Sequence, residues 1–192
     1  MTMGDAPGTC SLEAGIACLR RGGVVAYPTE AVWGLGCDPF DEAAVRRLLA
    51  LKDREIDKGL ILVAAERAQL DGLVDWDALD AARREAVHAS WPGPHTWIAP
   101  CTARVPPWIT GTHAGVAVRV SAHPVVVALC RGFGGPIVST SANPAGLPPP
   151  RRREDMDTRL AGEVDAIVEG ETGDLGQPTP IRIATDGRVL RG

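Results

Sequence analysis

Short apolar runs alternate along the chain with amphipathic stretches, and the two patterns predict different elements. Residues 24–27 and 60–64 are apolar throughout and follow glycines, which is typical of strands buried within a sheet. In residues 11–21 the apolar positions fall instead at helical spacing, and Gly22-Gly23 supply the stop. This succession of buried strands and amphipathic helices favours an α/β fold.

The same patterns extend over the rest of the chain. Residues 91–95 are dominated by proline and glycine and cannot be helical, residues 101–114 are predicted to form a loop, and residues 147–153, proline-rich and then basic, are predicted to be a mobile loop. One further helix is predicted to be capped by Asp41 and another to start at Pro124, and helices are also predicted over 66–74, over 77–89 and around 155–161. Strands are predicted over 96–100, 116–120, 137–138 and 165–168. A hairpin about Asp186-Gly187 is predicted to close the chain.

A polar turn, Pro28-Thr29-Glu30, follows the first strand and is itself followed by Gly34 and Gly36. Ligands of open α/β sheets collect just outside the carboxyl ends of strands. A hydroxyl, a carboxylate and a permissive glycine backbone at such a place predict the floor of a pocket. This stretch alone leaves an ordinary strand-exit loop as the alternative.

Two cations, Lys52 and Arg54, lie at positions that share a face in an extended segment, and Lys58 follows just beyond. Together they could grip one polyanion, with the arginine as a bidentate donor and the lysine as a point charge. Three acidic residues alternate with them in the sequence. A solvated, internally neutralised turn is therefore the alternative interpretation.

Residues 139–143, with the sequence Ser-Thr-Ser-Ala-Asn, form a second candidate at the exit of a predicted strand. Small side chains there let backbone N–H groups approach an anion, although a plain Ser/Asn turn has the same composition. Arg119 is a third candidate, since it interrupts an otherwise apolar strand and a buried guanidinium needs a partner. A structural carboxylate and a substrate carboxylate both remain open as that partner.

Composition narrows the class of protein. The chain has 192 residues and a net charge of −4, which fits one domain and argues against nucleic-acid binding over the whole surface. It lacks an apolar run of the roughly 20 residues that span a bilayer, and its N-terminus does not resemble a secretory signal. The five cysteines are scattered without a C-x-x-C pair, which favours free thiols in a reducing compartment. We therefore expect a cytoplasmic protein.

Several nucleotide and metal motifs are missing from the sequence. It contains no G-x-x-x-x-G-K-[ST], so any nucleotide is not held by a P-loop, and no G-x-G-x-x-G follows the first strand. The four histidines do not have metal-ligand spacing, and no G-x-S-x-G elbow occurs. We predict no metal site built from protein ligands.

Several uncommon motifs nevertheless occur in the order and spacing of one known family. They are residues 28–36 (PTEAVWGLG), 52–54 (KDR), 57–62 (DKGLIL), 91–94 (WPGP), 116–120 (VAVRV), 123–124 (HP) and 139–143 (STSAN). From about residue 10 to Gly192 the chain resembles the YrdC/TsaC family of threonylcarbamoyl-AMP synthases, in the short bacterial form that lacks the extra C-terminal domain. The resemblance implies a single α/β domain over 1–192, an open twisted mixed β-sheet flanked by helices. About residues 1–9 are expected to be flexible.

The resemblance also implies an enzyme, a nucleotidyltransferase. It would condense L-threonine, bicarbonate or CO2 and ATP into L-threonylcarbamoyladenylate and release pyrophosphate, the first step of threonylcarbamoyladenosine (t6A) modification of tRNA. Such a step needs positioning and charge stabilisation rather than a protein nucleophile. ATP is implied as a substrate, Mg²⁺ is expected to bridge its phosphate oxygens, and proteins that transfer the threonylcarbamoyl group are implied as downstream partners.

The family's signatures assign roles to individual residues of this chain. Its K-x-R signature falls on Lys52 and Arg54, which are implied to be catalytic and to hold the phosphates of ATP. Its S-x-N signature falls on Ser141 and Asn143, implied to bind phosphate or ribose. The residues implied to bind threonine are Thr29, Arg119, Ser139 and Thr179. Trp33 departs from the Tyr or Phe that is common in the first motif, which alters the wall of the pocket.

Two other functions are alternatives to this enzyme. A double-stranded-RNA or tRNA-binding module without catalysis would bind in a strongly salt-dependent manner and ignore ATP. A carbamoyl-transfer domain would be expected beside zinc-finger or acylphosphatase segments, which the sequence lacks. Weak binding of RNA by the enzyme, its oligomeric state and the segment that closes its site stay open. Residues 145–153 are the first candidate for that segment, and residues 101–114 the second.

Overall fold

The computed structural model describes residues 8–191, which form a nine-stranded mixed sheet flanked by helices. The strands are β1 Val25–Pro28, β2 Trp33–Gly36, β3 Ile61–Ala64, β4 Thr96–Pro100, β5 Gly115–Val120, β6 Ile137–Ser141, β7 Ala166–Ile167, β8 Ile181–Ile183 and β9 Val189–Arg191. The helices are α1 Leu12–Arg20, α2 Glu42–Leu51, α3 Ala81–Ala89, α4 Pro107–Thr110, α5 Pro124–Phe133 and α6 Thr158–Glu163.

Strand order in the sheet is β7-β1-β2-β6-β3-β5-β4-β8-β9. The pairs β1–β7, β3–β5 and β4–β8 are parallel, and the other neighbours are antiparallel. The implied mixed sheet is therefore confirmed. The predicted flexibility of residues 1–9 falls largely on residues 1–7, which lie outside the described residues, and Cys10 already bridges Val168.

Helices cover both faces of the central strands, which explains why those strands are apolar without alternation. Successive residues of a strand point to opposite faces. Val25, Tyr27, Val63 and Ile137 pack with buried residues of α1 and α5, whereas Ala26, Leu62, Ala64 and Val138 pack with buried residues of α2 and α6. The side chains of Ser11, Asp41, Asp80 and Asp157 cap the helices that follow them.

Several predicted elements differ from the structure. Residues 66–74 do not form a helix; only a single 3₁₀ turn, Arg67–Leu70, is present, and Gly72 at φ +78° ends any continuation. The helix predicted over 77–89 begins only at Ala81, because Asp80 caps it there. The predicted 101–114 loop contains the short helix α4.

Strand β2 is the largest departure, because its glycines suggested part of a loop. It pairs antiparallel with both β1 and β6. A Cβ on Gly36 would lie 2.5 Å from the carbonyl oxygen of Val138, so glycine is needed for the close approach of backbones. Strand β6 correspondingly runs on to Ser141, beyond the predicted end at residue 138.

Two predictions made from composition can be checked in the described residues. All five cysteines are free thiols, as expected. None of the helices within residues 8–191 is both long enough and apolar enough to cross a membrane.

Candidate active site

A cavity of about 390 Å³ lies against one face of the sheet, and we call it the central cavity. The small residues on its floor are neighbours across the sheet. Ala117 and Ser139 both pair with Ile61, and Ser141 pairs with Gly34. The residues that line it are Thr29, Ala31, Val32, Gly34, Arg54, Lys58, Gly59, Leu60, Ile61, Ile98, Ile109, Thr110, His113, Gly115, Ala117, Arg119, Ser139, Thr140, Ser141, Pro149, Pro178, Thr179 and Ile181.

The turn between β1 and β2 supplies one end of the central cavity. Thr29 is buried, and its hydroxyl donates to the carbonyl of Val32 at 2.7 Å while its amide donates to the same carbonyl at 3.1 Å. These two bonds fix the tight turn, and both Thr29 and Val32 line the cavity. Of the predicted pocket residues at the exit of the first strand, Thr29 and Gly34 line the cavity and Glu30 does not.

Arg119 lies in β5 and points its guanidinium into the same cavity, although only 5% of the residue is exposed. Its Nη1 donates to Thr179 Oγ1 at 2.8 Å, and its Nη2 lies 3.9 Å from Glu30 Oε2. Thr179 Oγ1 also lies 3.5 Å from Thr96 Oγ1. Of the two partners that the sequence left open for Arg119, the structural carboxylate is therefore present and is that of Glu30. Arg119 also borders the cavity.

Arg54 reaches the cavity from the segment after α2. One guanidinium nitrogen, Nη2, donates to the carbonyl of Gly59 at 2.9 Å, and burial lowers the pKa of the group. Its Nε is buried without a hydrogen-bond partner. A buried donor without a partner is costly.

Lys52 lies behind the cavity wall and does not line it. Only 3% of the residue is exposed, and its ammonium donates to the backbone carbonyls of Ser141 and Asn143, the latter at 2.6 Å. Burial, with a smaller contribution from the charge of Arg54, lowers the pKa of Lys52 to about 8. The two carbonyls oppose this shift, because they stabilise the charged amine.

Asn143 also lies outside the lining. Its Nδ2 donates to the carbonyls of Pro144 and Leu147, at 3.1 and 2.6 Å, whereas its Oδ1 is buried without a partner. The S-x-N turn is therefore held from behind by Lys52 and shaped by Asn143. Ser139 and Ser141 face the cavity.

The structure thus brings six predicted site residues to one cavity and keeps two, Lys52 and Asn143, just behind it. Sequence reasoning noted Lys58 as a cation near the K-x-R pair without assigning it to the site, and it missed His113 entirely. Both line the cavity. A single histidine in a loop, without a motif around it, carries no sequence signal of such a role.

The charges around the central cavity are of one sign. Within residues 8–191, Arg54, Lys58 and Arg119 line it and no carboxylate side chain does. Among the described residues no three His, Cys, Asp or Glu side chains gather as a metal cluster. The positive charge suits the cavity to anionic ligands.

Two surface segments meet over the cavity, residues 144–153 and residues 170–179. Pro149 of the first and Thr179 of the second line it. The amide of Trp33 donates to the carbonyl of Pro150 at 2.8 Å, which ties the first segment to β2. Arg151 Nη2 donates to the carbonyls of Leu175 and Gly176, and Thr172 Oγ1 donates back to the carbonyl of Arg151 at 2.8 Å.

Comparisons with known proteins show the family of the chain. A Sua5/YciO/YrdC family model, described as "Telomere recombination", matches residues 17–192. The chain is 62% identical over 181 residues to a threonylcarbamoyl-AMP synthase of Stenotrophomonas maltophilia (strain K279a), covering 94% of this chain and 97% of that protein.

Solved structures of similar proteins share the fold. P. abyssi Sua5 complexed with L-threonine has a TM-score of 0.84 and 32% identity over 94% of this chain, which spans only 53% of the Sua5 chain. E. coli YciO has a TM-score of 0.81 and 28% identity, over 94% of this chain and 87% of that one.

Proposed function

This chain belongs to the Sua5/YciO/YrdC family, and on that premise we propose that it makes L-threonylcarbamoyladenylate. The substrates are L-threonine, bicarbonate or CO2 and ATP, and pyrophosphate is released. The product feeds the t6A modification of tRNA, of which this is the first step. The enzyme is a nucleotidyltransferase with ATP as a substrate.

The observation that supports this activity best is the charge of the central cavity. Three cations and, among the described residues, no carboxylate line it, and Thr29, Ser139 and Thr179 line the same space. The reaction brings a triphosphate, a carbamate and an amino-acid carboxylate together, so its transition state is rich in negative charge. Fixed cations and donors in a partly closed cavity stabilise such charge without reorganising.

The chemistry balances without a protein nucleophile. The amine of threonine attacks the carbon of CO2 and loses a proton to give the carbamate. A carbamate oxygen then attacks the α-phosphorus of ATP, the bond to the β-phosphate oxygen breaks, and pyrophosphate leaves. A divalent cation brought with ATP would supply further neutralisation of the phosphate charge. The chain's own contribution is alignment of the two substrates and neutralisation of charge.

We assign the two substrates to opposite parts of the cavity. Arg119 with Thr179, Ser139 and Thr29 binds threonine, the guanidinium taking its carboxylate. Arg54 and Ser141 face the phosphates directly. Lys52 and Asn143 act on the phosphates through the S-x-N turn, because Lys52 holds two of its carbonyls. Lys58 adds a further cation to the sequence-based set.

Omission of single components tests the function. Purified protein is mixed with Mg-ATP, bicarbonate and L-threonine, and pyrophosphate is measured. Release that requires both threonine and bicarbonate supports the proposal, whereas release without threonine, or none at all, contradicts it. Binding of tRNA that falls steeply with salt and does not depend on ATP would favour the RNA-binding module instead.

Proteins that transfer the threonylcarbamoyl group, as partners, and a cytoplasmic location remain part of the proposal.

The lowered pKa of Lys52 predicts a loss of rate in alkali. Because its pKa is about 8, the amine loses its charge above that pH and with it the hold on the Ser141 and Asn143 carbonyls. We expect kcat/KM for ATP, which reports the pKa values of the free enzyme, to fall above about pH 8, and this fall to disappear in Lys52→Arg, which stays charged. An identical alkaline limb in both proteins contradicts the assignment.

Unfolding does not explain that limb, because stability has the opposite sign. The pKa of Lys52 is lower in the folded protein than its ordinary value of 10.5, so the unfolded chain binds more protons between the two values. The contribution of this group to the free energy of unfolding therefore rises with pH over that window. Denaturant midpoints measured at the same pH values separate the two effects.

A second prediction concerns the cover of the site, since a mixed anhydride must be kept from water. We propose that residues 144–153 and 170–179 close together, joined by the bonds of Arg151. ATP with threonine is expected to slow amide exchange near Leu147, in 151–154 and in 172–176, measured by hydrogen–deuterium exchange. Unchanged exchange in both segments, with protection in 101–114 instead, would assign the lid to that loop.

A further inference from the structure

Among the described residues, the carboxylate of Glu30 pairs with Arg119, to which we assign the carboxylate of threonine. We propose that Glu30 is a positioning residue that holds Arg119 in the orientation needed to bind the carboxylate of threonine. This inference rests on the proposed function. It concerns how the site recognises its amino acid.

Glu30 is held in place from several sides. Ser121 Oγ donates to Glu30 Oε1 at 2.5 Å, and Ser121 Oγ in turn accepts from the amide of His123 at 3.0 Å. The backbone carbonyl of Glu30 accepts from the amide of Leu175 at 3.1 Å. A Cβ on Gly173 would lie 2.7 Å from that same carbonyl oxygen, so the 170–179 segment presses directly on the residue.

The second carboxylate oxygen faces Arg119. Glu30 Oε2 is buried without a hydrogen bond and lies 3.9 Å from Arg119 Nη2. The side chains of Glu30 and Arg119 are 12% and 6% exposed. Arg119 lines the central cavity but Glu30 does not, so the carboxylate lies behind the guanidinium as seen from the ligand.

Protein groups hold both terminal nitrogens of Arg119. Nη1 is bound to Thr179 and Nη2 faces Glu30, whereas Nε is buried without a partner. A buried guanidinium without a counter-charge is costly and would turn toward solvent. With Glu30 behind it, the cation keeps its place when the cavity holds no anion and need not reorient when threonine binds.

A role through Arg119 predicts a selective effect on threonine. Glu30→Gln keeps the shape of the side chain and removes its charge. We expect the KM for threonine to rise about tenfold, the scale of weakening one charge-assisted contact, with the KM for ATP within about twofold of the parent. Glu42→Gln is the matched control, because Glu42 also pairs with an arginine, Arg46, but on the exposed face of α2.

The decisive measurement is a double-mutant cycle. In an Arg119→Lys background, Glu30→Gln should change the KM for threonine no further, because its effect passes through the guanidinium. The positioning role is overturned if the effects of the two substitutions on the KM for threonine multiply. It is also overturned if Glu30→Gln alone raises the KM for ATP equally, or leaves the KM for threonine unchanged or lower. Parent protein without threonine-dependent pyrophosphate release would instead contradict the proposed function itself.

If Glu30→Gln folds poorly, which its melting temperature reports, a further variant tests the same proposal. Ser121→Ala removes the hydrogen bond to Oε1 and leaves the charge of Glu30 in place. We expect a smaller rise in the KM for threonine, about threefold, with the KM for ATP unchanged. A parent-like KM for threonine in Ser121→Ala, if Glu30→Gln does not fold, overturns the proposal.

Discussion

Lys52→Ala is expected to lower the rate of threonine-dependent pyrophosphate release by roughly 10²–10³, the scale of losing one preorganised charge stabiliser. The loss has two parts in this structure. It removes a positive charge beside the phosphate side of the cavity, and it leaves the carbonyls of Ser141 and Asn143 without their donor. The S-x-N turn then loses the support that fixes its position.

Arg54→Lys belongs to the same experiment, because a point charge does not replace a guanidinium fork. Arg46→Ala is the control, since Arg46 is an exposed arginine on the neighbouring helix that pairs only with Glu42 among the salt bridges of the described residues. Steady-state rates at saturating substrates measure all three. If Lys52→Ala and Arg54→Lys both turn over within about twofold of the parent, the phosphate role of the K-x-R pair is wrong.

Discrimination between amino acids is the second large effect. With kcat/KM as the measure, we expect valine to be used roughly 10²-fold or more less well than threonine, and serine about tenfold less well. Valine has the shape of threonine but leaves a site hydroxyl without its partner. Serine keeps the hydroxyl and loses only the contact of a methyl group.

The hydroxyls of Thr29, Ser139 and Thr179 are the candidates to read the substrate side chain. Thr179 accepts from Arg119, and in the proposed assignment it lies between the carboxylate and the side chain of the bound threonine. Thr179→Val should therefore lower kcat/KM for threonine more than kcat/KM for valine, so that the ratio of the two values becomes smaller. Equal turnover of the three amino acids by the parent protein would show that the side chain is not read.

Much of the site was visible in the sequence because its motifs are local. The Pro28-Thr29-Glu30 turn, the K-x-R pair and the Ser-Thr-Ser-Ala-Asn stretch each keep their residues within a few positions of each other. Strand exits gather ligands for a physical reason, and the first strand was recognisable from its apolar run. The family resemblance then joined these pieces into one activity.

Other features depended on contacts between distant parts of the chain. Strand β2 looked like a loop because its glycines disfavour a strand in isolation, yet backbone approach to β6 requires them. The helix expected over 66–74 did not form, since Gly72 and burial of the following residues against the core outweighed local spacing. Such packing outweighs intrinsic propensity and cannot be read from a window of sequence.

The sequence by itself determined which residue types the site contains, because motif spacing and apolar runs are properties of the chain. Only the tertiary structure decided which way they face. It turned Lys52 to the back of the S-x-N turn, brought Lys58 and His113 to the cavity, and placed Glu30 behind Arg119 across the sheet. Side-chain direction at the end of a helix or strand depends on long-range pairing and burial, and neither is encoded by neighbours in sequence.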